Sequence, residues 1–395
     1  MHARTVLQKV LHSVIPQFDQ RNARTLFLAI EALLAGRRLT LMELARHWPG
    51  ALRVRPPLKR LDRFLSNRGV HAQRIHCYAA AIAWLIRSPR PVLIVDWSEL
   101  KSDGRWHVLR AGVVARGRTL TVYEEVHPEA RKNSPRVEAA FLQRLQTLLP
   151  KRVCPILITD AGFRVPWFRA VEALGWHWIG RVRHRTYVRL ASAATRETPW
   201  ISGQTLHPQA THAARALGVA DLTRSNPMTC RLVLMRCRKR GRIERTRYGT
   251  RARGGHSRKM ATRAKEPWLL AASCSLDTLA PAEIVRLYAR RMQIEQTVRD
   301  LKSHRFGCAF EDTLTRLPQR LEMLLLIHAL ASLVAWLAGL VTITNSIASG
   351  SKAQCPRHHS IIWLGWEMLR RNPVRLSLPL AAATRQLRTL LAQPL

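Results

Sequence analysis

Two apolar runs, Val-Leu-Ile-Val-Asp-Trp-Ser at positions 92–98 and Pro-Ile-Leu-Ile-Thr-Asp-Ala-Gly-Phe at 155–163, each lead into an aspartate. Short continuous runs rich in β-branched residues suit strands buried on both faces, which places Asp96 and Asp160 at strand carboxyl ends. Open α/β sheets gather ligands at those ends. The runs therefore predict an α/β core with an acidic residue presented at each of two strands.

A third acid lies on a segment of helical period. In Tyr-Ala-Arg-Arg-Met-Gln-Ile-Glu-Gln-Thr-Val-Arg-Asp-Leu-Lys, positions 288–302, a single helix puts Tyr288, Arg291, Glu295, Arg299 and Lys302 on one polar stripe. Leu287, Ile294, Val298 and Leu301 then form the apolar stripe beside it. The plain reading is a solvated face on which Glu295 pairs with Arg299 four residues on. With the two strand-end aspartates, Glu295 instead completes a set of three carboxylates suited to two Mg²⁺ ions, with Mn²⁺ as a substitute, for in-line attack at phosphate.

On these residues the chain resembles DDE transposases of the bacterial insertion sequences, specifically the IS-four family with its Y-x-x-R-x-x-x-E-x-x-x-x-x-x-K signature, and within it the Tn-ten type. Tyr288, Arg291, Glu295 and Lys302 meet all four signature positions. Asp-Ala-Gly-Phe-Arg-Val-Pro-Trp at 160–167 and Lys-Glu-Pro-Trp at 265–268 extend the resemblance over nearly the whole chain, up to about Ser349.

The charge balance fits a polyanionic partner. Against 65 Lys and Arg stand 25 Asp and Glu, a formal net charge of +40, and self-repulsion on that scale points to nucleic acid. A membrane surface competes, but the motifs disfavour it. Met323–Val341, free of formal charge apart from His328, has the length of a bilayer span; with Arg320 and Glu322 abutting it, the expectation is a helix buried in a large domain. The seven cysteines show no C-x-x-C pair, which fits reduced thiols in a cytoplasmic protein; the resemblance implies a bacterial, nucleoid-associated one. Cys355 with His358 and His359 is at most half a zinc site. The first twenty residues hold no apolar signal-peptide segment, so export is not expected.

Along the chain, residues 24–35 read as a helix, Gly36-Arg37-Arg38 as a turn, and Thr40 as the cap of a second helix reaching His47. After the Pro56-Pro57 stop, residues 58–67 form a third helix with Lys59, Arg60 and Arg63 on its polar side. Such a helix suits a major groove, although short basic helices are common. Strands at 92–95, 106–114 and 119–126, a helix at 135–149, a strand at 156–159 and a helix at 166–174 follow. This βββαβα order, with the Glu295 helix later, is that of an RNase H-like fold, and 176–182 supplies a fifth strand. The 230–237 run is β-like, and the segment at 239–265 is dense in arginine, including Arg240, Arg242 and Arg245, and is read as a basic loop that lies along DNA. The chain beyond Lys302 reads as helices at 317–340, 360–371 and 380–393, with Trp363 and Trp366 as core or as a dimer contact.

The expected domains are a helical DNA-binding domain at 1–88, the RNase H-like core at 89–183 and 276–345, an inserted, largely β subdomain at 184–275, and a C-terminal helical region at 346–395. The resemblance implies cut-and-paste movement of an insertion sequence. One site would nick DNA, form and open a hairpin, and join the freed end to target DNA. It implies Asp96 as the bridging ligand of the metal pair, Asp160 on one ion and Glu295 on the other. Tyr288, Arg291 and Lys302 would hold phosphates of the DNA end, and Trp268 would stack the base displaced at the hairpin tip, although the first inward residue of a strand is an equally simple reading of that tryptophan. Its partners would be terminal inverted repeats, target DNA and a second subunit in a synaptic complex. A DNA-binding protein without catalysis and a structure-specific nuclease are the competing classes.

Overall fold

A computed structural model describes residues 3–183, 186–191, 198–237, 266–305, 307–348 and 360–371, together with isolated positions between 250 and 262. Arg240, Arg242 and Arg245, Cys355 with its neighbouring histidines, and the expected helix at 380–393 lie outside the described residues.

The chain opens with five helices: α1 (Ala3–Val10), α2 (Gln20–Gly36), α3 (Leu41–Arg46), α4 (Arg55–Ser66) and α5 (Arg68–Leu85). Three strands follow, β1 (Val92–Glu99), β2 (Trp106–Ala115) and β3 (Arg118–Pro128), then α6 (Pro135–Leu148), β4 (Ile156–Thr159), α7 (Val165–Ala173) and β5 (His177–Val182). Next come β6 (Tyr187–Leu190), β7 (Ile201–Ser202), β8 (Arg215–Leu222), β9 (Met228–Met235) and β10 (Trp268–Ala272). Four helices end the described chain: α8 (Pro281–Ala289), α9 (Met292–Lys302), α10 (Pro318–Ala348) and α11 (Ile361–Arg371).

These elements divide into two compact units, one of Met1–Pro155 with the chain from Arg290 onward, the other of Ile156–Ala289. The boundaries fall within what the sequence reads as a single core. Each unit is a β-sheet flanked by helices, so the protein is a mixed α/β fold.

In the first unit, local chemistry sets the helix ends. Asp19 caps α2 by accepting from the backbone N–H of Arg21 and Asn22, Thr40 caps α3 through the N–H of Glu43, and Asn67 caps α5 through those of Gly69 and Val70. The Pro56-Pro57 pair does not stop a helix. It occupies the first turn of α4, where a missing N–H costs nothing, so the helix starts earlier than the sequence reading placed it.

The sheet of this unit runs β3-β2-β1, antiparallel throughout. A buried ion pair, Arg110 to Glu124 at 2.6 Å, ties β2 to β3, and the Tyr78 hydroxyl of α5 donates to the same carboxylate at 2.9 Å. Helix α10 is the core element here. Its Pro318–Thr342 stretch has enough length to cross a membrane, yet the most apolar 18 residues within it, of mean hydropathy 2.3, are buried inside the fold. It packs on α2, α4, β3 and α11.

The second unit is a sheet of order β4-β5-β10-β9-β8-β6-β7. The β4–β5 pair is parallel and the remaining pairs are antiparallel. Helix α7 covers β5, and Gly180 admits the Phe168 ring, whose Cζ lies 2.6 Å from where a Cβ would stand. The Phe168 ring in turn stacks on Trp178 at 4.0 Å.

Candidate active site

Asp96 lies within β1 rather than at its end: the strand continues through Glu99, and Asp96 stands opposite Arg110 of β2. Antiparallel pairing to β2 carries the strand past the apolar run, which is why composition alone ended it too soon. Side chains two apart share a face, and the Ser98 hydroxyl accordingly donates to Asp96 Oδ2 at 3.1 Å. Between them, Trp97 points the other way. Its indole N–H donates to Glu138 Oε1 at 3.0 Å, and its ring meets His127 edge-on at 5.6 Å. Glu138 is buried in the first turn of α6. Trp97 and Glu138 thus fasten the stretch of β1 that presents Asp96, a role nothing in the sequence marks.

Asp160 immediately follows the buried strand β4 and takes the position expected of it. Its Oδ1 accepts from the Gly162 N–H at 2.7 Å, and a Cβ at Gly162 would stand 2.9 Å from that oxygen. The small residue lets the chain turn tightly around the carboxylate. Phe163 and Trp167, with ring centroids 4.7 Å apart and both buried, anchor the turn into α7.

The signature segment is not one continuous helix. Tyr288 lies in the last turn of α8, Arg290 and Arg291 form a turn, and α9 begins at Met292. Tyr288 therefore leaves the polar stripe: it is buried, its ring meeting Trp268 edge-on at 5.0 Å. Trp268, the first residue of β10, is half-buried and stands opposite Met235 of β9.

Helix α9 packs on the β1–β3 sheet. Its inward face is Ile294, Thr297 and Leu301, with Val298 only half-buried. The Thr297 hydroxyl accepts from the Thr119 N–H at 2.9 Å, and Arg118 Nε pairs with Asp300 at 2.5 Å. This fixes α9 against the start of β3 and leaves Glu295 at the flank of the helix. Glu295 pairs with Arg291 one turn before it, not with Arg299 one turn after. Lys302 pairs with Glu311 at 3.2 Å.

Asp96, Glu295, Arg291 and Lys302 belong to the first unit, and Asp160, Tyr288 and Trp268 to the second. Among the described residues, no group of three or more His, Cys, Asp or Glu side chains is arranged to hold a metal ion. The chemistry of the donor set does suit Mg²⁺, since carboxylate oxygens are the hard ligands this ion prefers.

The family model described as the transposase DDE domain matches residues 87–334, well over half of the 395-residue chain. The chain belongs to the DDE transposase domain family. The matched segment of this domain encloses Asp96, Asp160 and all four signature positions. No curated protein matches the chain in sequence. Among solved structures, the DDE transposase domain and its flanking helices are similar to a piggyBac transposase synaptic complex with hairpin DNA, at 12% identity and a TM-score of 0.42, covering 96% of this chain and 77% of that one.

Lys59 and Arg63 are exposed on α4, and Arg60 is half-buried. Arg60 donates from Nε to Thr25 Oγ1 at 2.7 Å and from Nη2 to the Arg21 carbonyl at 3.2 Å. It is therefore a bolt between two helices more than a free cation.

Proposed function

We propose that the protein is a DNA transposase of the IS-four, Tn-ten kind, which moves its element by cut-and-paste phosphoryl transfer. The observation that carries this reading is the span of the family match, 87–334, which contains Asp96, Asp160 and Glu295 together with Tyr288, Arg291 and Lys302.

Asp96, Asp160 and Glu295 would hold a pair of Mg²⁺ ions, with Mn²⁺ as a substitute. A metal pair held there would lower the pKa of a nucleophilic water or 3′-hydroxyl and would neutralise charge on the leaving oxygen. The protein's own groups do the rest. Asp96 is steadied by Ser98, and the backbone beside it by the Trp97–Glu138 hydrogen bond. Arg291 grips phosphate with two parallel N–H donors, and Lys302 as a point charge. Trp268 offers a ring for a displaced base, which a hairpin end requires. The net charge of +40 supplies the long-range attraction for terminal repeats and target DNA. A second subunit would bring the other end of the element, and action on the nucleoid in a bacterial cytoplasm follows from the same reading.

A supercoiled plasmid carrying the DNA that flanks the gene tests this directly. Excision of a linear element in Mg²⁺, abolished by EDTA and by Asp96→Ala, Asp160→Ala or Glu295→Ala with DNA binding retained, is the expected result. Repeat-independent cutting would make the protein a nuclease, and binding without cutting would remove catalysis from the account. Retained excision in Asp96→Ala would overturn the metal assignment.

A further inference from the structure

Helices α2 and α4 face one another across an open cavity of about 730 Å³. Arg21 and Arg24 line it from α2, and Lys59, Arg60 and Arg63 from α4, with no carboxylate among the lining residues. Of the acids nearest in sequence, Asp19 has its Oδ1 turned to backbone N–H groups as the cap of α2, and Asp62 pairs with Arg320 at 2.7 Å. Arg21, Arg24, Lys59 and Arg63 are exposed, and among the described residues none of the four has an ion-pair partner. Arg60 does the structural work. Its hydrogen bonds to Thr25 and the Arg21 carbonyl hold α4 beside the first turns of α2, and the Thr25 hydroxyl donates to that same carbonyl at 2.6 Å. Burial between the two helices lowers the Arg60 guanidinium from its ordinary value, and the nearby charge of Arg24 adds a smaller push in the same direction.

Concentrating cations around a concavity raises the free energy of the empty protein, and a bound polyanion relieves it. We infer that this cavity is a phosphate cleft for the backbone of duplex DNA, contacted by Arg21, Arg24, Lys59 and Arg63 and spaced by Arg60. The inference rests on the transposase reading and adds a pair of contacts on α2. It also changes the role of α4. A helix that reads bases presents its polar side to a major groove; here that side shares its space with α2, so its cations meet phosphates, and its contribution is independent of sequence.

The test uses the full-length protein with Arg21→Gln/Arg24→Gln. Fluorescence anisotropy follows binding to a duplex carrying the candidate terminal repeat and to a random duplex of equal length, over a range of salt. The expected result is a loss of about 10- to 100-fold on both duplexes alike. The plot of log affinity against log salt should become shallower by about two, since each neutralised phosphate contributes about 0.9 to the slope. Lys59→Gln/Arg63→Gln, at exposed positions on the other wall, should reproduce the effect, and this second pair decides the matter should the first fail to fold. Unchanged affinity and slope, or a loss confined to the terminal repeat, would overturn the cleft. If the wild type cleaves DNA and the variants bind as it does, only the cleft falls; if the wild type binds neither duplex, the transposase reading falls with it.

Discussion

Arg291 and Glu295 form an ion pair across one turn at the start of α9, the first at the turn that precedes the helix and the second in its opening turn. Both roles proposed for these residues need the pair to open, because a carboxylate turned toward a guanidinium has an oxygen fewer for a metal, and the guanidinium a donor fewer for phosphate. DNA and metal should therefore favour each other's binding, since each removes a competitor of the other.

Glu295→Gln gives this a measurable form. The substitution keeps the shape and weakens the hold on Arg291. Half-exposed i,i+4 pairs are worth about 0.5 kcal/mol, so metal-free affinity for duplex DNA should rise roughly twofold while cleavage is lost. A fall in metal-free affinity would mean that Glu295 positions Arg291 for phosphate and does not compete with it.

The Trp268–Tyr288 contact sharpens what Trp268→Ala should do. Stacking a displaced base is worth about 1–3 kcal/mol, so hairpin formation on pre-nicked DNA should slow by up to about a hundredfold while first-strand nicking holds. Edge-to-face aromatic pairs contribute about 0.5–1.5 kcal/mol, so a modest loss of stability is also expected. An abasic nucleotide at the displaced position should restore much of the hairpin rate, because no base is left to unstack. Nicking and hairpin formation lost in parallel would make Trp268 a packing residue of β10 alone.

What the sequence made legible follows from how each signal arises. Buried strands announce themselves by apolar, β-branched runs, so β4 ends at Thr159 as read and Asp160 stands just beyond it. β1 extends three residues past Asp96, because its last residues are held by pairing with β2 and not by apolar character. The break between α8 and α9 was invisible: Ala289-Arg290-Arg291-Met292 contains no Gly or Pro, and all four residues are good helix formers. The Glu295 partner was misread for a related reason. Arg291 and Arg299 are equally spaced from it, and the usual preference for acid before base favoured Arg299. Glu138 could not be singled out, since an acid in the first turn of a helix is ordinary, and only the structure shows the Trp97 indole bonded to it.

The crossing of α10 and α11 depends on two glycines. A Cβ at Gly365 would stand 1.6 Å from the Ala335 carbonyl oxygen, and one at Gly339 would stand 1.9 Å from that of Ile361. These are backbone atoms that no rotamer change can move aside. Gly365→Ala should separate the helices and cost about 1–3 kcal/mol, against the gain in helix propensity that alanine brings at an exposed site. A urea midpoint equal to or above that of the wild type would show that the two backbones do not touch at this point.

His328 sets a pH dependence within the core. It is buried in α10, close to Ser332, and burial first and the charge of Arg110 second push its imidazole down to about 3. The folded protein therefore keeps His328 neutral where the unfolded chain, near its ordinary value of about 6.5, takes up a proton. Stability is lost as pH falls from about 6.5 toward about 3, by up to about 1.4 kcal/mol per pH unit for this one group. Glu125 adds to the acid sensitivity lower down. Burial raises it, but hydrogen bonds from His127, Arg144 and Tyr123 prevail and hold it at about 2. Its contribution is complete above about 4.5 and fades as pH falls toward about 2. The window from pH 6.5 to 5 thus separates the two. There, His328→Leu should flatten the fall in urea midpoint that the wild type shows, without altering it above pH 7 by more than the repacking cost. Equal slopes in the two proteins across that window would mean that His328 becomes protonated in the folded state, with Arg110 giving way to accommodate the second charge.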